Sequence, residues 1–288
     1  MAALPQTTPA PASALVRPPP TSPAFKPPQR CQLPKLRLEI RDLDHAGAKR
    51  FLSTVNPSDC LSTAAASVAR LLYPDRFNIP CYASTTTSTP TAASSPSPLP
   101  PPTRSVTLIL RDMPGVAHTV SSDLDHDHKQ IHLSLSYIAS IPLDRAAAEI
   151  AGVVTHELVH CLQHNALGTC PSGLIEGVAD WVRLRADLAP PHWRRQPHRR
   201  PDSHSHHGDH DAPCWDAGYQ TTAFFLDYLQ HRFGHDFVPR LNNHLHSCTY
   251  QESPFWLHLT QSSVNHLWNE YQDTLKCQKV NDPPSGQQ

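Results

Sequence analysis

His156-Glu157-Leu158-Val159-His160 decides how this 288-residue chain is read. Residues four apart lie one above the other on one face of an α-helix, so both imidazoles can reach a single metal ion. Glu157 sits one step round the same helix, close enough to take a proton from a water on that metal. The chain holds only six glutamates, and another, Glu176, follows in Gly173-Leu174-Ile175-Glu176-Gly177-Val178-Ala179-Asp180. It supplies the carboxylate that a His2Glu catalytic site requires.

A five-residue motif is short, and its surroundings separate a site from a helix with two idle histidines. Upstream runs Arg145-Ala146-Ala147-Ala148-Glu149-Ile150-Ala151-Gly152-Val153-Val154. Ile150, Val153, Val154, Leu158, Cys161 and Leu162 recur at helical spacing, with Asp144 placed to cap the N-terminus. The motif therefore falls on a buried helix, where a His-Glu-His cluster without an ion would be costly to desolvate. Asp180 lies one turn beyond Glu176 on the same face, about 5–6 Å away, and is the rival carboxylate. Glu176 is expected as the ligand. Asp180 is expected to accept the free N–H of a ligand imidazole and fix its orientation.

Several blocks in a fixed order resemble the plant basic secretory protein family, which groups with the zincin metallopeptidases. Val106-Thr107-Leu108-Ile109-Leu110-Arg111 followed by Asp112-Met113-Pro114-Gly115-Val116-Ala117 looks like the family's strand and turn. Gln130-Ile131-His132-Leu133-Ser134 with Tyr137-Ile138 resembles its next strand and the turn after it. The HExxH motif with Gln163, the Glu176 block through Leu184, and Ala189-Pro190 with His192-Trp193 follow. Trp215-Asp216-Ala217-Gly218-Tyr219, with Thr222-Ala223 and Phe225-Leu226-Asp227-Tyr228, completes the set. The resemblance spans residues 105–276, and more weakly 36–73. It implies a zincin-like α+β fold, with metal ligands at His156, His160 and Glu176. Here the gap from His160 to Glu176 is shorter than in better-known zincins with a glutamate ligand.

The constellation implies a reaction. One Zn2+ per chain is expected, because three mixed nitrogen and oxygen ligands suit zinc better than magnesium or calcium. Zinc brings its bound water towards a pKa of ~7, and Glu157 shuttles the proton from that water to the leaving amine. Tyr219 is a candidate hydrogen-bond donor to the oxyanion, or else packs with Trp215 at a helix start. Gly115-Val116-Ala117 is placed as an edge strand along which an extended peptide lies.

Composition bounds the rest. Residues 1–34 are proline-dense and without apolar periodicity, and are expected to be disordered. A Ser/Thr/Pro tract over 85–103 and a His-rich stretch over 194–213 read as insertions in one domain spanning 35–278. The latter contains His198, His204, His206, His207 and His210, read as a solvated loop, with loose metal binding as the alternative. Residues 279–288 form a tail. A net charge of −1 gives no reason to propose nucleic acid or an anionic membrane surface. No stretch approaches the ~18 apolar residues of a membrane span. Met1-Ala2-Ala3-Leu4-Pro5-Gln6 lacks a secretory n-region and h-region, which favours free thiols in the cytosol. The even count of eight cysteines permits four disulfides, and the resemblance to a family with secreted members points to the outside of the cell.

Strands are expected near 36–41, 105–111 and 130–135, with a short edge piece at 116–119. Helices are expected near 58–73, 145–165, 173–188, 216–233, 236–246 and 262–276. The expected function is a zinc metallopeptidase acting as a monomer on peptides or proteins. The alternatives are a zinc exopeptidase or amidase with the same machinery, and a non-catalytic zinc-binding interaction protein of the same fold.

Overall fold

β1 (Lys35–Ile40) opens a chain of four strands and nine helices among the described residues. α1 (Ala46–Thr54) and α2 (Pro57–Leu72) precede β2 (Ser105–Arg111), β3 (Ala117–Ser121) and β4 (His128–Ser134). α3 (Leu135–Ser140) leads into α4 (Ala146–Leu162), then α5 (Ser172–Arg185) and α6 (Tyr219–Phe233). α7 (Phe237–His244), α8 (Glu252–Thr260) and α9 (Val264–Asn281) close the order. This computed structural model describes residues 31–74, 76, 99–195 and 214–281.

The four strands form one mixed sheet in the order β1-β2-β4-β3. β1 and β4 run parallel to β2, while β3 pairs antiparallel with β4 and forms an edge. β2 and β4 carry the apolar run Val106, Leu108, Leu110, Ile131 and Leu133, all fully buried. A parallel pair reads as nearly continuous apolar sequence because helices cover it. α4 packs against α2, α5 and β3, which puts the HExxH helix at the centre of the molecule. Its Ile150, Val154, Leu158 and Val159 are fully buried.

α2 starts where local chemistry dictates. The Asn56 side chain accepts from the backbone N–H groups of Ser58 and Asp59, and Pro57 occupies the first turn. α5 and α6 pack closely because α5 offers glycine at the contact. A Cβ at Gly177 would meet Thr222 Cγ2 at 2.2 Å, and one at Gly173 would meet the Asp216 carbonyl oxygen at 1.7 Å.

The sheet and the long helices stand near their expected positions, and several details differ. Asp144 does not cap α4; it lies in a short 3-10 turn, and Arg145 precedes the helix without a side-chain cap. The edge strand covers 117–121, not 115–117, because Gly115 turns the chain at φ 81°. The helix expected from 216 begins only at Tyr219, after Gly218 and Tyr219 itself take positive φ. The last helix continues past 276 to Asn281. α1, α3 and α8 were not anticipated.

Cys31 donates its backbone N–H to the Arg76 carbonyl, so the N-terminal tract expected to be disordered reaches described structure by residue 31. Residues 99–103 of the Ser/Thr/Pro tract are also described, and Thr103 Oγ1 donates to the Cys161 carbonyl. Most of that tract, the His-rich stretch beyond Arg195 and the tail from 282 lie outside the described residues. The seven described cysteines are free thiols. No described helix is long and apolar enough to cross a membrane.

Candidate metal centre and active-site cleft

His156 and His160 project from α4 towards Glu176 on α5. His156 Nε2 stands 3.1 Å from His160 Nε2 and 3.1 Å from Glu176 Oε2, and His160 Nε2 is 3.6 Å from the same oxygen. Their donor atoms lie within 4.8 Å of one another, and the three can hold a metal ion. A tetrahedral ion with bonds of about 2.0–2.1 Å spaces its ligands about 3.3 Å apart, which is the spacing found. The opposite ring nitrogens are occupied. Asp180 Oδ1 lies 2.7 Å from His156 Nδ1, and the Gln163 amide lies 2.7 Å from His160 Nδ1. Both Nε2 atoms are thereby turned inwards.

The electrostatics of the cluster follow from this crowding. Burial opposes a charge on His156, but its contacts with Asp180 and Glu176 outweigh that and lift its pKa to about 9. Burial would raise Glu176, yet its hydrogen bonds with His156 and His160 hold the carboxyl down at about 2. Carboxylates and imidazoles here stabilise each other's charged forms, and a metal ion would take the place of the imidazole protons, because ligand imidazoles are neutral.

Glu157 is buried beside the cluster, and an edge-strand residue holds it. Thr119 Oγ1 lies 2.7 Å from Glu157 Oε2 and 3.1 Å from the Glu157 carbonyl. The remaining carboxylate oxygen, Oε1, takes no bond from Thr119. Tyr219 heads α6 with φ 45° and is 59% exposed, its ring stacked on His156 at 6.3 Å. Trp215 is not its partner; that ring packs edge-on to Trp256 in the core. The Glu176 carboxylate, and then partial burial, push the Tyr219 hydroxyl above its ordinary range, so it remains a donor at neutral pH.

These groups line one cleft of about 820 Å³. Val116 and the edge-strand residues Ala117, His118 and Thr119 form one wall, whereas Gly115 does not line it. At the other end, Glu149 Oε1 accepts from Tyr137 Oη and Arg183 Nη2, each at 2.9 Å. Burial alone would raise Glu149, but the Arg183 contact holds it below its ordinary value. Arg183 also donates from Nε to the Leu188 carbonyl at 3.1 Å, and its guanidinium lies 5.4 Å from the Trp193 ring.

The structure thus brings His156, Glu157, His160, Glu176, Asp180, Tyr219, Val116 and Ala117 into one cavity, and leaves Gly115 out. Thr119, Glu149 and Arg183 were missed from sequence. For Arg183 a signal existed: it follows Glu176 by seven residues, a spacing that returns to the same helix face.

A family model described as BSP, peptidase of plants and bacteria, matches residues 33–271. The chain belongs to the BSP family. That match covers every strand, every site residue named above and the first two turns of α9, so the peptidase label applies to the unit that carries the cleft. No curated protein and no solved structure matches the chain.

Proposed function

We propose that this BSP-family chain is a zinc-dependent peptidase of zincin-like architecture, with His156, His160 and Glu176 as ligands of one ion. One observation carries the reading: two imidazole nitrogens and a carboxylate oxygen converge at 3.1–3.6 Å beside a buried glutamate, in an open cleft. A zinc ion bound there supplies Lewis acidity, which lowers the pKa of water and polarises a carbonyl.

The chain's own residues do the rest. Thr119 fixes Glu157 Oε2, which leaves Oε1 to accept a proton from the attacking water and deliver it to the leaving amine. The Tyr219 ring stacks on His156, and its hydroxyl is the donor to the developing oxyanion. Asp180 and the Gln163 amide hold the two imidazoles in orientation. The free edge of β3 offers backbone groups to an extended peptide, the mode of capture by strand addition. An aminopeptidase would need a spare carboxylate for the substrate's α-amine. Glu149 lines the cleft but is engaged by Arg183 and Tyr137, which favours the endopeptidase reading.

The test pairs metal analysis with cleavage of a peptide library by wild type and Glu157→Gln. Glutamine is nearly isosteric and cannot serve as a base. Both proteins are expected to retain one zinc, while the variant loses about 10²–10⁴-fold or more in hydrolysis. Equal cleavage by the two zinc-loaded proteins means that the cleft serves binding instead.

A further inference from the structure

The cleft has a second pole. Along α4, Glu149, Val153 and His156 share a face, and along α5, Glu176, Asp180 and Arg183 do the same, so the Glu149–Arg183 pair sits two turns from the cluster. Seven residues at about 1.5 Å per residue place that pair about 10 Å away along the groove.

Arg183 is built to stay where it is. Glu149 holds Nη2, the Leu188 carbonyl holds Nε, and the Trp193 ring covers one face. Gly152 makes room for it, since a Cβ there would lie 2.5 Å from Arg183 Nε. The side chain is only 9% exposed, yet it lines the cleft. Its Nη1 has no hydrogen-bond partner among the described residues. Arg145 also stands 3.6 Å from Glu149 Oε2, so two guanidinium groups face one carboxylate. The Glu149 carboxylate is therefore already neutralised, and Arg183 keeps one pre-positioned, unused donor edge. The path to it runs past Val153 and Tyr137, an apolar and aromatic lining.

We propose that Arg183 reads a substrate carboxylate, and that this end of the cleft takes a group with an apolar stem and an anionic tip. The inference rests on the peptidase reading above. An extended chain rises about 3.3 Å per residue, so the tip belongs to a residue within about three of the scissile bond. Two sources fit: an aspartate or glutamate side chain, or the C-terminal carboxylate of a short peptide. A lysine or arginine tip meets the Arg183 guanidinium and is disfavoured.

Library cleavage by zinc-loaded wild type fixes the scissile bond, and one cleaved peptide is then remade in four forms. These carry glutamate or glutamine at the enriched position, each with a free or an amidated C-terminus. A charge-assisted contact to a guanidinium that is only 9% exposed predicts that losing the anion costs about tenfold in kcat/KM. The same four peptides are titrated calorimetrically into zinc-loaded Glu157→Gln, where the order of Kd should match without turnover. In Arg183→Lys, which keeps the charge but lacks the second donor edge, the discrimination should fall towards parity. A drop on Glu-to-Gln exchange assigns the side chain, and a drop on amidation assigns the terminus. Equal kcat/KM and Kd for all four peptides with wild type overturns the proposal, even where Arg183→Lys fails to fold. If zinc-loaded wild type cleaves no peptide at all, the peptidase reading falls and takes this proposal with it.

Discussion

His156 Nδ1 and Asp180 Oδ1 lie 2.7 Å apart, and this contact turns the other nitrogen of the ring towards His160 and Glu176. Asp180 is 3% exposed, so the bond is sheltered from water. The two carboxylates of α5 thus have different neighbours: Glu176 faces both Nε2 atoms, and Asp180 faces the back of one ring.

Those positions predict different losses. Glu176→Ala is expected to remove most tightly held zinc. Asp180→Ala is expected to weaken binding only about 10–100-fold, the usual effect of freeing a ligand's outer nitrogen. Zinc affinity by competition with a chelating indicator separates the two. The reverse order assigns the metal-binding carboxylate to Asp180.

Thr119 donates to Glu157 Oε2, and under the proposed mechanism that hydroxyl positions the carboxylate. Thr119→Val keeps the shape and removes the donor to Oε2, so kcat should fall about tenfold, as expected for a hydrogen bond to a charged group. KM and zinc content should change little, because neither the ligands nor the strand edge is altered. Thr119→Ser should restore most of the rate. A valine variant as active as wild type, or a serine variant as poor as valine, removes Thr119 from the machinery.

The parts of this molecule legible in sequence are those whose pattern is local. α4 and α5 show helical periodicity, and His156, His160, Glu176 and Asp180 sit at helix spacings, so their shared face follows from residue numbers alone. α8 escaped because its apolar residues are not arranged periodically, with Phe255 and Trp256 adjacent and both buried. α1 escaped because His45, rather than a serine, threonine, aspartate or asparagine, caps it. α3 is six residues long and directly follows a strand, which reads as a turn. Thr119 and Glu149 reach the cleft only through tertiary pairing: Thr119 lies 38 residues from Glu157 and Glu149 lies 34 from Arg183. No spacing rule joins them.

Packing of α5 on α6 should control the metal centre, because Glu176 sits between the two glycines that make the contact. Gly177→Ala would push a methyl group against Thr222, whose hydroxyl is fully engaged with the Trp215 carbonyl and the Gly218 N–H. Overpacking of this kind costs about 1–3 kcal/mol. The melting temperature should fall and zinc affinity should fall with it, as α5 is displaced from α4. The double variant Gly177→Ala with Thr222→Gly removes both clashing atoms, Cγ2 at 2.2 Å and Cβ at 2.5 Å, and should recover part of the loss in zinc affinity. Unchanged stability in Gly177→Ala would mean that the helices can separate freely.

Acid should destabilise the fold through His164, which is 7% exposed and stands beside the Tyr73 and His246 rings at 6.0 and 4.7 Å. Burial first, and the neighbouring His246 second, push its pKa down to about 4. The folded state therefore favours the neutral ring, while the unfolded chain takes up a proton at about 6.5. Stability from this group is complete above about pH 6.5 and is lost as the pH falls from there towards 4. At 1.36 kcal/mol per unit, and allowing for some access of water, the loss by pH 4.5 should be about 2 kcal/mol. Urea unfolding of wild type and His164→Phe at pH 7.5 and 4.5 measures it, since phenylalanine cannot titrate. Wild type should lose about 2 kcal/mol more than the variant between the two pH values. Equal losses in the two proteins would assign the acid sensitivity to another group.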